Sequence, residues 1–115
     1  MPKPPMRRPT AHHFYILLAL AERLRHGAGI MREVQRLSDG DLTLWPAQLY
    51  TALESLQQKG WIEELQEQPA GQSGRKRYFS ISGQGRRELA KETGRMSSLV
   101  ALSQNRNPLL EAEKP

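Results

Sequence analysis

At Lys59-Gly60 the chain changes its hydrophobic period, and that change restricts the folds open to it. Upstream, in "LWPAQLYTALESLQQKG", Leu49, Leu53 and Leu56, with Ala52 beside them, recur at the three-to-four spacing of an amphipathic helix. Downstream, "WIEELQ" (61–66) is aromatic and β-branched at its start, and "KRYFSIS" (76–82) alternates with Phe79 and Ile81 on one face. Both are strand signals. "EQPAGQSGR" between them holds Pro69, Gly71 and Gly74, the composition of a hairpin tip.

The rest of the chain has helical signals. Thr10, just after Pro9, can cap a first helix in which Phe14, Leu17, Leu18, Ala21 and Leu24 form the apolar stripe. Gly27 and Gly29 in "RHGAG" punctuate its end. A second helix carries Ile30, Val34 and Leu37 until "SDGD" (38–41) stops it. Pro46 suits the first turn of the third helix, 46–59, where a missing N–H does no harm. Ser82 caps a last helix, 83–104, with Leu89, Met96, Leu99, Val100 and Leu102 as its apolar positions, and Pro108 lies beyond its end. Residues 1–9 carry four prolines and three basic residues and are expected to form a mobile basic arm. Residues 105–115 are expected to be a disordered tail.

Helix, helix, helix, two-stranded hairpin, helix is the layout of a winged helix-turn-helix. The expected fold is therefore mainly α with a small β part: a winged domain over 10–82 and a C-terminal dimerisation helix over 83–104.

Composition narrows the function. A length of 115 residues fits one domain, and with no cysteine there are neither disulfides nor thiolate metal sites, which suits a cytoplasmic protein. The short apolar segment Phe14–Ala21 runs into Glu22-Arg23 without a small-residue cleavage site, which argues against export, and no membrane partner is expected. The histidines are His12, His13 and His26; the adjacent pair cannot share a helix face, and no carboxylate stands at metal-ligand spacing from either. No enzyme, metal or cofactor is expected.

The net charge of +5 is sorted along the chain. Between Pro69 and Arg87 stand Arg75, Lys76, Arg77, Arg86 and Arg87 with no acidic residue, whereas Glu63, Glu64 and Glu67 just before them lack a compensating base. Advancing 100° per residue from Leu49 puts Ala47, Thr51 and Gln58 on the far side of the third helix, with Gln48, Tyr50 and Ser55 on the flanks. Small or amide-bearing groups there suit the major groove of double-stranded DNA: glutamine pairs with adenine, and threonine meets the thymine methyl. The candidate DNA-binding residues are Ala47, Gln48, Tyr50 (hydroxyl to phosphate) and Thr51, with Arg75, Lys76 and Arg77 of the wing, 67–78, on the backbone or minor groove. Glu54 would meet phosphate badly, so only the first two helical turns should approach DNA. The rival is a winged helix used only for protein contacts, and the basic wing favours DNA.

A second copy is expected too. Phe14, Tyr15, Ile16, Leu17 and Leu18 are consecutive, which implies burial all round that helix, and the last helix has more apolar residues than a lone terminal helix can bury. Phe14, Leu17, Leu18, Leu89, Met96, Leu99 and Val100 are the candidate homodimer contacts.

"YILLAL", "HG" at 26–27, "LYTALESLQQKGWIEEL" and "YFSISGQGRREL" together resemble the PadR family of transcriptional regulators over roughly Tyr15 to Leu89. The family has a Leu-Tyr-Pro-Ala-Leu run followed by Lys-Gly-Leu-Ile, and a later Tyr-x-Ile-Thr-x-x-Gly-x-x-x-Leu. The resemblance implies a bacterial or archaeal dimeric repressor that uses the winged helix on operator DNA and its last helix for pairing. It also implies that Tyr50 is the recognition-helix tyrosine, that Gly60 turns the chain into the wing, and that Arg75–Arg77 are the basic wing. Departures are Ala28 for the tyrosine after His-Gly, Thr51 for the proline after Tyr50, and Trp45 where a small cap is usual; for Trp45 packing is favoured over lying on a sugar. Drug-sensing relatives hold planar ligands between tryptophans of the last helix. Trp45 and Trp61 both lie outside 83–104, and that helix has no aromatic residue, so a small-molecule effector finds no support there.

Overall fold

In the computed structural model, which describes residues 8–65 and 76–107, helix α1 spans Ala11–Glu22. The Thr10 hydroxyl accepts from the His13 N–H, so the cap is the expected one. The buried face differs. His13, Ile16, Leu17, Ala19 and Leu20 are inside, while Phe14, Tyr15, Leu18 and Ala21 are half-buried. Because α1 touches α2 (Gly27–Leu37), α3 (Pro46–Gln58), α4 (Gly83–Arg106) and the sheet, no single stripe describes it. Leu24 lies beyond its end and is exposed.

The segment expected to be a simple stop is a strand. Arg25–His26 forms β1, an edge of a three-stranded antiparallel sheet ordered β1-β3-β2, with β2 at Ile62–Glu64 and β3 at Tyr78–Ile81. Arg25 pairs with Phe79 and His26 with Tyr78. The Arg25 guanidinium explains why the chain turns here. Its Nε donates to the Ala19 carbonyl at 2.9 Å, satisfying an end of α1, and it also pairs with Glu22. Gly27 and Gly29 then open α2 rather than close α1. The His26 Nδ1 caps that helix by accepting from the Gly29 N–H at 3.2 Å.

Helices α2 and α3 end in the same device, a pair of bonds reaching back over a left-handed residue. In α2, Asp39 (φ 55°) takes that place, with its N–H on the Arg36 carbonyl and the Gly40 N–H on the Gln35 carbonyl. In α3 it is Gly60 (φ 77°), with its N–H on Gln57 and the Trp61 N–H on Leu56. Trp61 thereby enters the core at 2% exposure. The core joins Ile16, Leu17 and Leu20 to Ile30 and Val34, then to Leu49, Leu53 and Leu56, and closes on Trp61, Ile62, Phe79 and Ile81.

The final helix runs to Arg106, two residues past the expected 104. The Ser82 hydroxyl accepts from the Gly85 N–H and donates to the Gly60 carbonyl at 2.6 Å, tying the helix start to the end of α3. Its buried residues are Gly85, Glu88 and Glu92; Leu89 is half-buried and packs on the core. Glu88 accepts from Gln84, and Glu92 pairs with Arg95, so these carboxylates have partners. The arm through residue 7, most of the wing and the tail from 108 lie outside the described residues.

Candidate nucleic-acid interface

Burying Leu49, Ala52, Leu53 and Leu56 turns the opposite side of α3 outward, leaving Ala47, Gln48, Thr51, Glu54 and Gln58 exposed as the helical arithmetic requires. Ala47 and Thr51 face solvent without charge. Gln48 is committed in part: its Oε1 accepts from the Trp45 N–H at 3.0 Å, closing the helix start from within. The indole of Trp45 has no acceptor with which to complete a reciprocal cap. Gln48 therefore keeps its amide N–H donors for another partner, while its oxygen is engaged. Trp45 itself is 65% exposed, which overturns the expected packing role and puts a large flat ring beside the start of α3.

Tyr50 stands on the flank, 36% exposed, with its hydroxyl over Gly27. A Cβ at position 27 would lie 2.5 Å from that oxygen, so the absence of a side chain there is what admits the phenol. The Arg77 guanidinium sits 5.2 Å from the Tyr50 ring centre and 5.4 Å from that of Phe79. Two bonds of 2.9 Å tie the same guanidinium to both oxygens of Glu64. Glu64 thus has the compensating base that its sequence neighbourhood lacks, supplied across the hairpin. The bonds from Arg77 hold the Glu64 carboxyl below its ordinary range and the guanidinium above its own.

Arg77 and Tyr50 are brought together, and Lys76 lies exposed beside them. Arg75 lies outside the described residues. Two residues that no sequence pattern singled out complete this flank. Arg32 projects from α2, and His26 stacks edge-on against Tyr78 at 5.4 Å. Burial, then the charges of Lys76 and Arg32, push the His26 imidazole below its ordinary pKa. On the other side of α3, a groove of about 560 Å³ runs between its exposed face and the start of α1, bordered by His12, His13, Gln48, Thr51 and Ser55.

Among the expected dimer contacts, Leu17 is fully buried within its own chain and is closed to a partner. Phe14, Leu18 and Leu89 are half-buried, and Met96, Leu99 and Val100 are exposed.

The sequence model of the PadR-like family of transcriptional regulators matches residues 16–91. The chain belongs to this family. No curated protein matches the sequence. Among solved structures, this PadR-like chain resembles a PadR family transcription regulator from Clostridium difficile (TM-score 0.71, 17% identity, 84% of this chain and 97% of that one). It also resembles RosR of H. salinarum (TM-score 0.66, 22% identity, 90% and 87%). A third neighbour is Bacillus subtilis PadR in complex with operator DNA (TM-score 0.60, 20% identity, 70% and 45%). At such identities the likeness establishes the PadR-like winged helix fold. Among the described residues no helix is long and apolar enough to cross a membrane, and no cluster of ligating side chains could hold a metal.

Proposed function

We propose that this PadR-like chain is a dimeric, sequence-specific transcriptional repressor in the cytoplasm, reading a palindromic operator with α3 in the major groove. The wing, 67–78, lies on the backbone or the minor groove. One observation carries the reading: Ala47 and Thr51 form an exposed, uncharged strip on α3, beside a flank on which Arg32, Lys76 and Arg77 gather. A groove-reading helix needs that combination of neutral contact surface and cationic border. The B. subtilis neighbour, solved with operator DNA, supports the same use of the fold. The α4 stripe of Met96, Leu99 and Val100 supports the second copy.

Binding of the full chain to duplexes selected from a random pool tests the proposal. If about six phosphates are neutralised, log K falls against log salt with a slope near roughly −5. Gln48→Ala should relax sequence preference, whereas replacing Arg75, Lys76 and Arg77 together should weaken all duplexes alike. Absence of binding to any duplex at low salt would leave the fold as a protein-contact module.

A further inference from the structure

Where α2 begins, beside the outward face of α3, a cleft of about 430 Å³ opens between three elements. Arg32 enters it from α2, Tyr50 from α3, and Lys76 and Arg77 from the start of the returning wing strand. Gly27 forms part of the lining, because the Tyr50 hydroxyl rests over its backbone. Among the described residues no carboxylate lines the cleft. The two cations that shift His26 downward, Lys76 and Arg32, are both in this lining, so their fields converge there.

The cationic groups are not equivalent. Arg77 is held by two bonds to Glu64, and its guanidinium covers the Tyr50 and Phe79 rings, so its charge is compensated and its place is fixed. Arg32 is exposed and makes no ion pair among the described residues. A helix lying in the major groove brings the sugar-phosphate backbone past its flank. An open cleft with an exposed guanidinium, an ammonium and a phenol hydroxyl suits a single phosphodiester there.

Resting on the DNA-binding reading, we infer that this cleft seats one backbone phosphate of bound duplex. Arg32, Lys76 and the Tyr50 hydroxyl hold it, and the Glu64–Arg77 pair is a positioning brace that keeps the Tyr50 ring in place. Arg77 is thereby moved from the set of direct contacts to that of supports, and Arg32 joins the contacts.

Counterion release separates these roles, because only a charge that displaces a counterion changes the salt slope. The probe is a duplex recovered by selection with the full-length protein. Arg32→Ala should weaken binding several-fold and make the slope shallower by about 0.9. Tyr50→Phe should weaken binding with the slope unchanged. The charge-balanced double variant Glu64→Gln/Arg77→Gln should also weaken it with the slope unchanged, and should add no further loss in a Tyr50→Phe background. A wild-type slope in Arg32→Ala, together with a shallower one in the double variant, would make Arg77 the contact and overturn the assignment. Saturation of the cleft by millimolar inorganic phosphate, with no further change on adding duplex, would also overturn it by making this a free-anion site. If the wild-type chain selects no duplex at all, the DNA-binding reading falls and this inference with it; altered slopes can sink the phosphate seat alone.

Discussion

His13 is 9% exposed, and its Nδ1 is buried without a hydrogen-bond partner among the described residues. Burial first, then the nearby Lys59 and His12 charges, lowers its pKa from 6.5 to about 4. The folded state therefore favours neutral imidazole, and the unfolded chain binds the extra proton. Stability from this residue is complete above pH 6.5 and is lost as pH falls towards about 4. The full effect is at most about 3 kcal/mol, less where water reaches the ring. His26 is shifted in the same direction and adds to the loss. The carboxyls of Glu33, Glu64 and Glu92, all lowered from 4.5, join only at more acid pH. Melting temperatures between pH 7.5 and 5 should therefore fall for the wild type and fall less for His13→Leu. Parallel curves would show that another group governs the slope. None of this was legible in the sequence, where His13 stood out only as half of an adjacent pair. Its burial depends on α1 being enclosed by three helices and a sheet, which no local pattern announces.

Within α4, one substitution should have opposite signs at two positions. A Cβ at Gly85 would stand 2.1 Å from the Trp61 carbonyl oxygen and 2.8 Å from Ile81, so α4 starts where it does because nothing projects there. A Cβ at Gly94 would meet nothing within 4 Å, on an exposed helical turn. Gly94→Ala should raise stability by roughly 0.5–1 kcal/mol, the usual helix gain. Gly85→Ala should lower it by about 1–3 kcal/mol or more, since the obstacle is backbone. Urea denaturation of both variants checks the signs, and equal effects would contradict the close approach. Element boundaries show the same division between local and distant causes. Helices α2 and α3 could be placed from "SDGD" and Lys59-Gly60 because their stops lie in adjacent residues that take left-handed turns. Strand β1 could not, because two residues form it by pairing with Tyr78 and Phe79 far along the chain. The Glu64–Arg77 brace was hidden for the same reason: it needs the strand register, in which Glu64 lies opposite Phe79. Gln48 and Trp45 show a further limit, since the sequence offered an amide for a base and an indole for the core. The geometry of the α3 start turned the first inward to a backbone N–H and the second outward.

On the scale of the whole molecule, α4 is one face with two fates. Advancing 100° per residue places Met96, Leu99 and Val100 on the side that carries Gly85, Leu89 and Glu92 nearer its start. The near half of that face is covered by the chain's own body, with Gly85 and Glu92 buried; the far half continues as apolar surface, Leu99 at 48% and Val100 at 54% exposed. A second copy related by a twofold axis would cover the stripe with the same stripe, since such an interface is self-complementary. Reading two half-sites on one face of the duplex requires the two α3 helices of such a pair to lie about 34 Å apart. Linking two half-site contacts makes the second effectively intramolecular, which raises affinity by about 10²–10⁴ without any new contact. Leu99→Glu/Val100→Glu places like charges on both sides of that contact while leaving the core of each chain untouched. The wild type should scatter light as twice the 13.1 kDa chain at micromolar concentration, and the variant as a single chain. The variant should keep its helical circular dichroism and lose at least about a hundredfold in affinity for a two-half-site duplex. Its binding to a lone half-site should change little, because the α3 face and the Arg32 cleft are intact in each copy. A wild type that scatters as one chain at every concentration would remove the dimer from the proposal, and a variant that still pairs would move the contact away from α4.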